Sequence, residues 1–142
     1  MDTRSFLIAV HELGHSFADL ADEYVDEELH ATFPLPEEGD LPLANVSLER
    51  AFERTSLERL KATAKWKHFL ELPGASKSRW FHEGGYYRAR GVFRPWPTCR
   101  MRENEAPFCP VCAEELARAI HTTCGLEWDD AAWHKAHPLS EW

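Results

Sequence analysis

The sequence predicts a mainly α chain with short β or irregular segments, organised around one long N-terminal helix. Three observations carry this. Phe6, Leu7, Val10, Leu13, Gly14 and Phe17 recur at helical intervals, with no proline to interrupt them. In "SLERAFERTSLERLKATAK", Ser47 to Lys65, Glu alternates with Arg or Lys around a Leu, Ala and Phe stripe. In "RWFHEGGYYRARGVFRPWPTCRM", Arg79 to Met101, paired glycines, aromatics and prolines replace that period with strand and turn signals.

Taken in order, the first helix runs from Thr3 to about Ala21, capped by Asp2 or Thr3, and carries both His11 and His15. Pro34, Pro36 and Pro42, with "EEGD" among them, mark His30 to Asn45 as a surface loop. Ser47 to Lys65 is expected to form one or two exposed amphipathic helices serving as solvated scaffolding. "FCPVCAEELARAIHTTCG" returns to helix, with Val111, Leu116, Ala119 and Ile120 facing inward and Gly125 at the stop. The tail, "LEWDDAAWHKAHPLSEW", is polar with Trp interspersed and is expected to dock loosely. A single domain thus divides into residues 1–24, a helix and turn, residues 25–125, and a tail of residues 126–142. No internal repeat or low-complexity linker is present.

A chain of 142 residues with 44% hydrophobic content can bury one modest core. Its formal net charge of −8 argues against a non-specific grip on nucleic acid or anionic membrane, both of which need clustered cations. Peptides or proteins are the expected partners. No run approaches the roughly 20 apolar residues of a membrane span. "SFLIAV" leads straight into the histidines and is not a usable signal peptide. Cys99, Cys109, Cys112 and Cys124 all lie in the C-terminal third, where disulfides, a metal site and free buried thiols are the three readings.

The chemistry concentrates in "HELGHSFADLADEY", His11 to Tyr24. Residues i and i+4 of a helix lie about 40° apart and about 6 Å along the axis, so His11 and His15 can converge on one ion. Glu12 adjoins the first ligand, where a carboxylate can take a proton from an attacking water and return it to a leaving amine. A catalytic zinc needs a third protein ligand, and Asp19, Asp22 and Glu23 are the nearby acids. On an unbroken helix Asp22 would stand about 10.5 Å beyond His15 along the axis, out of reach. The chain must therefore turn back soon after Phe17, with Asp22 the first choice as ligand and Glu23 the alternative.

These residues resemble the signature of the IgA peptidase family of zinc metallo-endopeptidases, a metzincin-like group. "KWKHFL", "EGGYYRARGVFRP", "CRMR" and "FCPVC" are similar to further family segments in the same order, so the resemblance spans about Leu7 to Ile120. It implies a zincin active-site helix with a C-terminal subdomain, Zn2+ bound by His11, His15 and Asp22, and Glu12 as general base of peptide hydrolysis. The metzincin spacing would put the third ligand on Ala21 and the turn glycine on Ala18, so Asp22 and Glu23 both stay open. Met101 would be the methionine beneath the zinc, packing against the ligand rings without binding the metal. Tyr86 or Tyr87 would donate to the oxyanion. A secreted or extracellular setting follows from the resemblance alone, and with it a disulfide joining Cys99 to Cys109 or Cys112.

The upstream sheet subdomain of a metzincin is expected to be largely missing, leaving the "SFLIAV" face exposed. A non-catalytic zinc-binding remnant or interaction module is therefore the alternative to an endopeptidase. A cysteine-zinc adaptor with an incidental HExxH is a third reading. His30, His68, His82, His121, His134 and His137 are expected at the surface or in ordinary packing.

Overall fold

Asp2 opens the first helix: its side chain accepts the Ser5 N–H, satisfying an amide that the first turn leaves without a partner. The computed structural model describes residues 2–75 and 80–142. Helix α1 (Thr3–Ala18) is followed by β1 (Ser47–Leu48), α2 (Leu57–Thr63), β2 (His82–Gly85), β3 (Arg88–Arg94), α3 (Pro110–Thr123) and α4 (Asp130–Ala136). Short 3-10 turns lie between them, and the strands form an antiparallel sheet in the order β1, β3, β2. The described residues thus make a small mixed α/β fold of four α-helices and a three-stranded sheet. None of these helices is long and apolar enough to cross a membrane.

Several local expectations need correction. Helix α1 ends at Ala18 and not near Ala21, because Asp19 takes the left-handed conformation (φ 47°) and its N–H returns to Gly14 O. Aspartate tolerates that region better than most residues. The inward face of α1 is also narrower than its apolar period implied. His11 and Gly14 are its buried residues, while Phe6, Ile8, Leu13 and Phe17 are exposed.

Between Ser47 and Lys65 α-helix forms only over Leu57–Thr63, started by the Ser56 side chain, with a 3-10 turn at Glu49–Ala51. Ser47 and Leu48 pair instead with Phe93 and Val92. The cause is tertiary: the Asp40 carboxylate accepts from Leu48 N and Ser47 Oγ, both at 2.7 Å, and Val46 and Leu48 are buried. The strand and turn reading from Arg79 to Met101 agrees with β2 and β3, although Arg79 itself lies outside the described residues.

Helix α3 ends as expected, with Gly125 in the left-handed region at φ 68°. Ile120 points outward at 44% exposure, however, and Glu114, six residues earlier, is buried instead. The tail is docked and not loose: α4 closes on the body and Leu139 joins the main core beside Trp80, Phe69 and Trp96.

Core and site meet at Gly14. A Cβ built there would stand 2.6 Å from Met101 Sδ and 3.3 Å from Phe108 Cε1. Met101 is fully buried and has little room to yield. Alanine gains about 1 kcal/mol of helix preference over glycine, but overpacking a tight core costs about 1–3 kcal/mol. Gly14→Ala is therefore expected to lower stability by about 1 kcal/mol in denaturant unfolding, the overpacking outweighing the helix gain.

Candidate metal centre

Three side chains point their ligand atoms at one another. His11 Nε2 lies 3.1 Å from His15 Nε2 and 3.0 Å from Asp22 Oδ1, and His15 Nε2 lies 3.4 Å from the same oxygen. Four ligands held tetrahedrally at 2.0–2.1 Å from an ion stand about 3.3 Å apart. The observed triangle therefore matches one face of such a coordination shell. Both rings are anchored from behind by backbone carbonyls: His11 Nδ1–H donates to Arg100 O at 2.8 Å, and His15 Nδ1–H donates to Leu20 O at 2.6 Å. A carbonyl can only accept, so each ring, when neutral, carries its proton on Nδ1 and has the Nε2 lone pair free for a metal.

The turn at Asp19 brings Asp22 back to the histidines. Extended backbone beyond it pairs with the tyrosine corner: Tyr86 N donates to Asp22 O (2.8 Å) and Tyr87 N to Tyr24 O (3.1 Å). Tyr86 and Tyr87 both adopt positive φ, at 49° and 65°, a cost these two bonds help to offset. Tyr87 Oη then donates to Asp22 Oδ2 at 2.5 Å, so the carboxylate presents its other oxygen to the histidines. On the far side, Asn45 is fully buried. It accepts from Ala21 N and donates to Ala21 O and to Glu23 Oε1.

Asp22 and Glu23 thus face opposite ways. Asp22 joins the histidines, whereas Glu23 turns into a buried cluster with Cys99, Cys109 and Cys112. All four cysteines are unpaired, so the expected disulfide between Cys99 and Cys109 or Cys112 is not formed. Cys124 is exposed and apart from the others. Glu12 lies on the outer side of α1 and lines a cavity of about 300 Å³ with Ile8, His11, Tyr24, Arg102 and Asn104. Met101 sits beneath α1, its sulfur against Gly14. Tyr87 directs its hydroxyl at Asp22, and Tyr24, which sequence reasoning passed over, is the tyrosine that borders the cavity. Only its place in "ADEY" pointed that way.

A further set gathers at His68, Glu114 and His134, residues that no spacing along the chain connects. Here Arg118 Nη2 already lies 2.8 Å from Glu114 Oε1, beside His68 Nε2 at 2.9 Å. The guanidinium neutralises the carboxylate, and the set ties α4 to α3 and to the 3-10 turn Lys67–Glu71.

The charges at the triangle reinforce one another. The hydrogen bond to Asp22 raises the pKa of His11 and of His15, outweighing the burial that opposes their charge. Burial likewise disfavours the Asp22 carboxylate, but His11, His15 and Tyr87 together hold its pKa well below the ordinary value. Burial pushes the Glu23 carboxyl well above it. No family model matches this sequence, and no curated protein does. The functional reading therefore rests on the chemistry of these side chains.

The pH dependence of the metal-free chain follows from those directions. The depressed Asp22 contributes stability fully above its unfolded value of 3.8, lost as pH falls further. The raised histidines contribute fully below their unfolded value of 6.5, lost as pH climbs through their folded values. Asp22→Asn is expected to cost about 1–2 kcal/mol between those limits, and less on either side, in unfolding curves of chelator-treated protein.

Proposed function

We propose that this chain is a zinc-dependent endopeptidase similar to the IgA peptidase family, with Glu12 as its general base. The observation that carries the reading is the triangle of His11 Nε2, His15 Nε2 and Asp22 Oδ1 at 3.0–3.4 Å, with Glu12 on the adjoining cavity. Imidazole nitrogens and a carboxylate suit zinc. When bound, zinc supplies Lewis-acid polarisation of water and of a carbonyl oxygen.

The remaining chemistry belongs to the chain. Glu12 takes the proton of a water attacking the scissile carbonyl and delivers it to the leaving amine, which keeps the proton count balanced. Arg102 and Asn104 border the same cavity and offer donors to the substrate's oxygens. The Arg100 and Leu20 carbonyls hold the two rings in register, and Tyr87 holds Asp22. Peptide or protein substrates fit an open cavity bordered by Ile8 and these polar groups.

One observation favours the non-catalytic alternative: Phe6, Leu13 and Phe17 leave an apolar strip exposed on one face of α1, as an interaction module would. Glu12→Gln separates the two. Zinc content is expected to be unchanged, while hydrolysis of an unstructured protein substrate falls by about 10²–10⁴-fold, read by peptide release. Zinc-loaded wild type that cleaves no better than Glu12→Gln would favour the binding module.

A further inference from the structure

Outside the triangle, three cysteines and one carboxylate converge from three separate parts of the chain. Glu23, Cys99, Cys109 and Cys112 each offer a ligand atom, and these atoms all lie within 4.8 Å of one another. Every one of the four residues is buried, and the three thiols are free. Four ligands around zinc with sulfur at about 2.3 Å stand about 3.8 Å apart, so the group can close on an ion with small side-chain movements.

The surroundings are those of a ligand cluster. Cys109 N donates to Cys99 Sγ at 3.2 Å. Cys112 Sγ lies 3.5 Å from Glu23 Oε1, which also accepts from Asn45 Nδ2 at 2.9 Å. The other carboxylate oxygen, Glu23 Oε2, is buried with no hydrogen-bond partner. A carboxylate oxygen shut away beside three thiols is a poor arrangement for a protein alone and a good one for a cation. Cys109 and Cys112 also stand at the cap and first turn of α3, so one helix start places two of the three sulfurs.

We propose that Glu23, Cys99, Cys109 and Cys112 form a second, structural zinc site. Three sulfurs and one oxygen complete a closed tetrahedral set, and sulfur selects zinc over calcium or magnesium, which require oxygen. Binding releases the thiol protons to solvent as the metal takes their place. A disulfide would use two of the sulfurs and leave the third thiol and Glu23 without a role. The ion joins the start of α3, the Cys99 turn and the segment carrying Glu23, whose neighbour is Asp22. Its work is positional: it fixes the backbone that presents Asp22 to the histidines.

The test keeps the two metal sites apart. A chain carrying His11→Ala and His15→Ala together loses the helix site and retains every ligand of the second. It is expected to purify with about one equivalent of zinc, and its cobalt(II)-exchanged form to show strong sulfur-to-cobalt charge-transfer absorption in the near ultraviolet. Adding Cys112→Ser is expected to abolish most of that absorption. The same band in cobalt-loaded wild type guards against a double variant that fails to fold. No charge-transfer band in wild type would overturn the proposal. So would a folded double variant free of zinc, or a purified wild-type chain lighter than its reduced form by the two hydrogens of a disulfide. Loss or absence of peptidase activity leaves all of these readouts unchanged.

Discussion

Two consecutive backbone carbonyls, those of Arg100 and Met101, hold both sides of the molecule's chemistry. Arg100 O accepts from His11 Nδ1 at 2.8 Å, and Met101 O accepts from Glu23 N at 2.7 Å. One peptide turn therefore orients the first histidine of the helix and anchors the segment that carries Asp22. Because the acceptors are main-chain atoms, the hydrogen bond to His11 dictates which ring nitrogen keeps its proton. The turn is itself fixed from above by Met101 Sδ packed under Gly14, and from the side by Cys99 in the buried cluster.

Everything else that shapes the site acts by bringing Asp22 to that turn. The left-handed Asp19 stops α1 and reverses the chain. Asn45 clamps Ala21 and Glu23, and the loop bearing Asn45 is strapped in turn by Lys65 Nζ, which donates to Leu41 O, Leu43 O and Val46 O. The two tyrosines accept backbone strain so that their amides and the Tyr87 hydroxyl can meet the same segment. Residues scattered from position 11 to position 101 thus converge on an opening a few ångströms wide. Strain and buried polar groups are concentrated there, as expected where geometry must be fixed.

What was legible in the sequence is what depends on neighbours along the chain. The i, i+4 histidines, the Asp2 cap, the glycine stop after α3 and the need for a turn after Phe17 are all local rules. The choice between Asp22 and Glu23 was not legible, since adjacent residues of an extended segment point to opposite sides and only the packing of Asn45 and Tyr87 decides which side is which. The charge pattern around Ser47 and Leu48 favours helix. The Asp40 carboxylate, seven and eight residues away, overrides that preference. Glu114 and its two histidines follow the same rule: their meeting is purely tertiary. The cysteines showed a metal-like spacing, yet their fourth partner was an acid some seventy-six residues before Cys99, which no spacing rule connects.

The two ligand sets share a single scaffold, with Asp22 and Glu23 as adjacent residues facing different groups of candidate ligand atoms. The most direct measurement is anomalous diffraction at the zinc edge from crystals of the zinc-loaded protein. Density about 2.0–2.1 Å from His11 Nε2, His15 Nε2 and one Asp22 oxygen is expected, with His11 Nδ1 still bonded to Arg100 O. An ion bound through His11 Nδ1, with the ring turned away from Arg100, or an ion that takes Glu23 in place of Asp22, would contradict the central role of that turn.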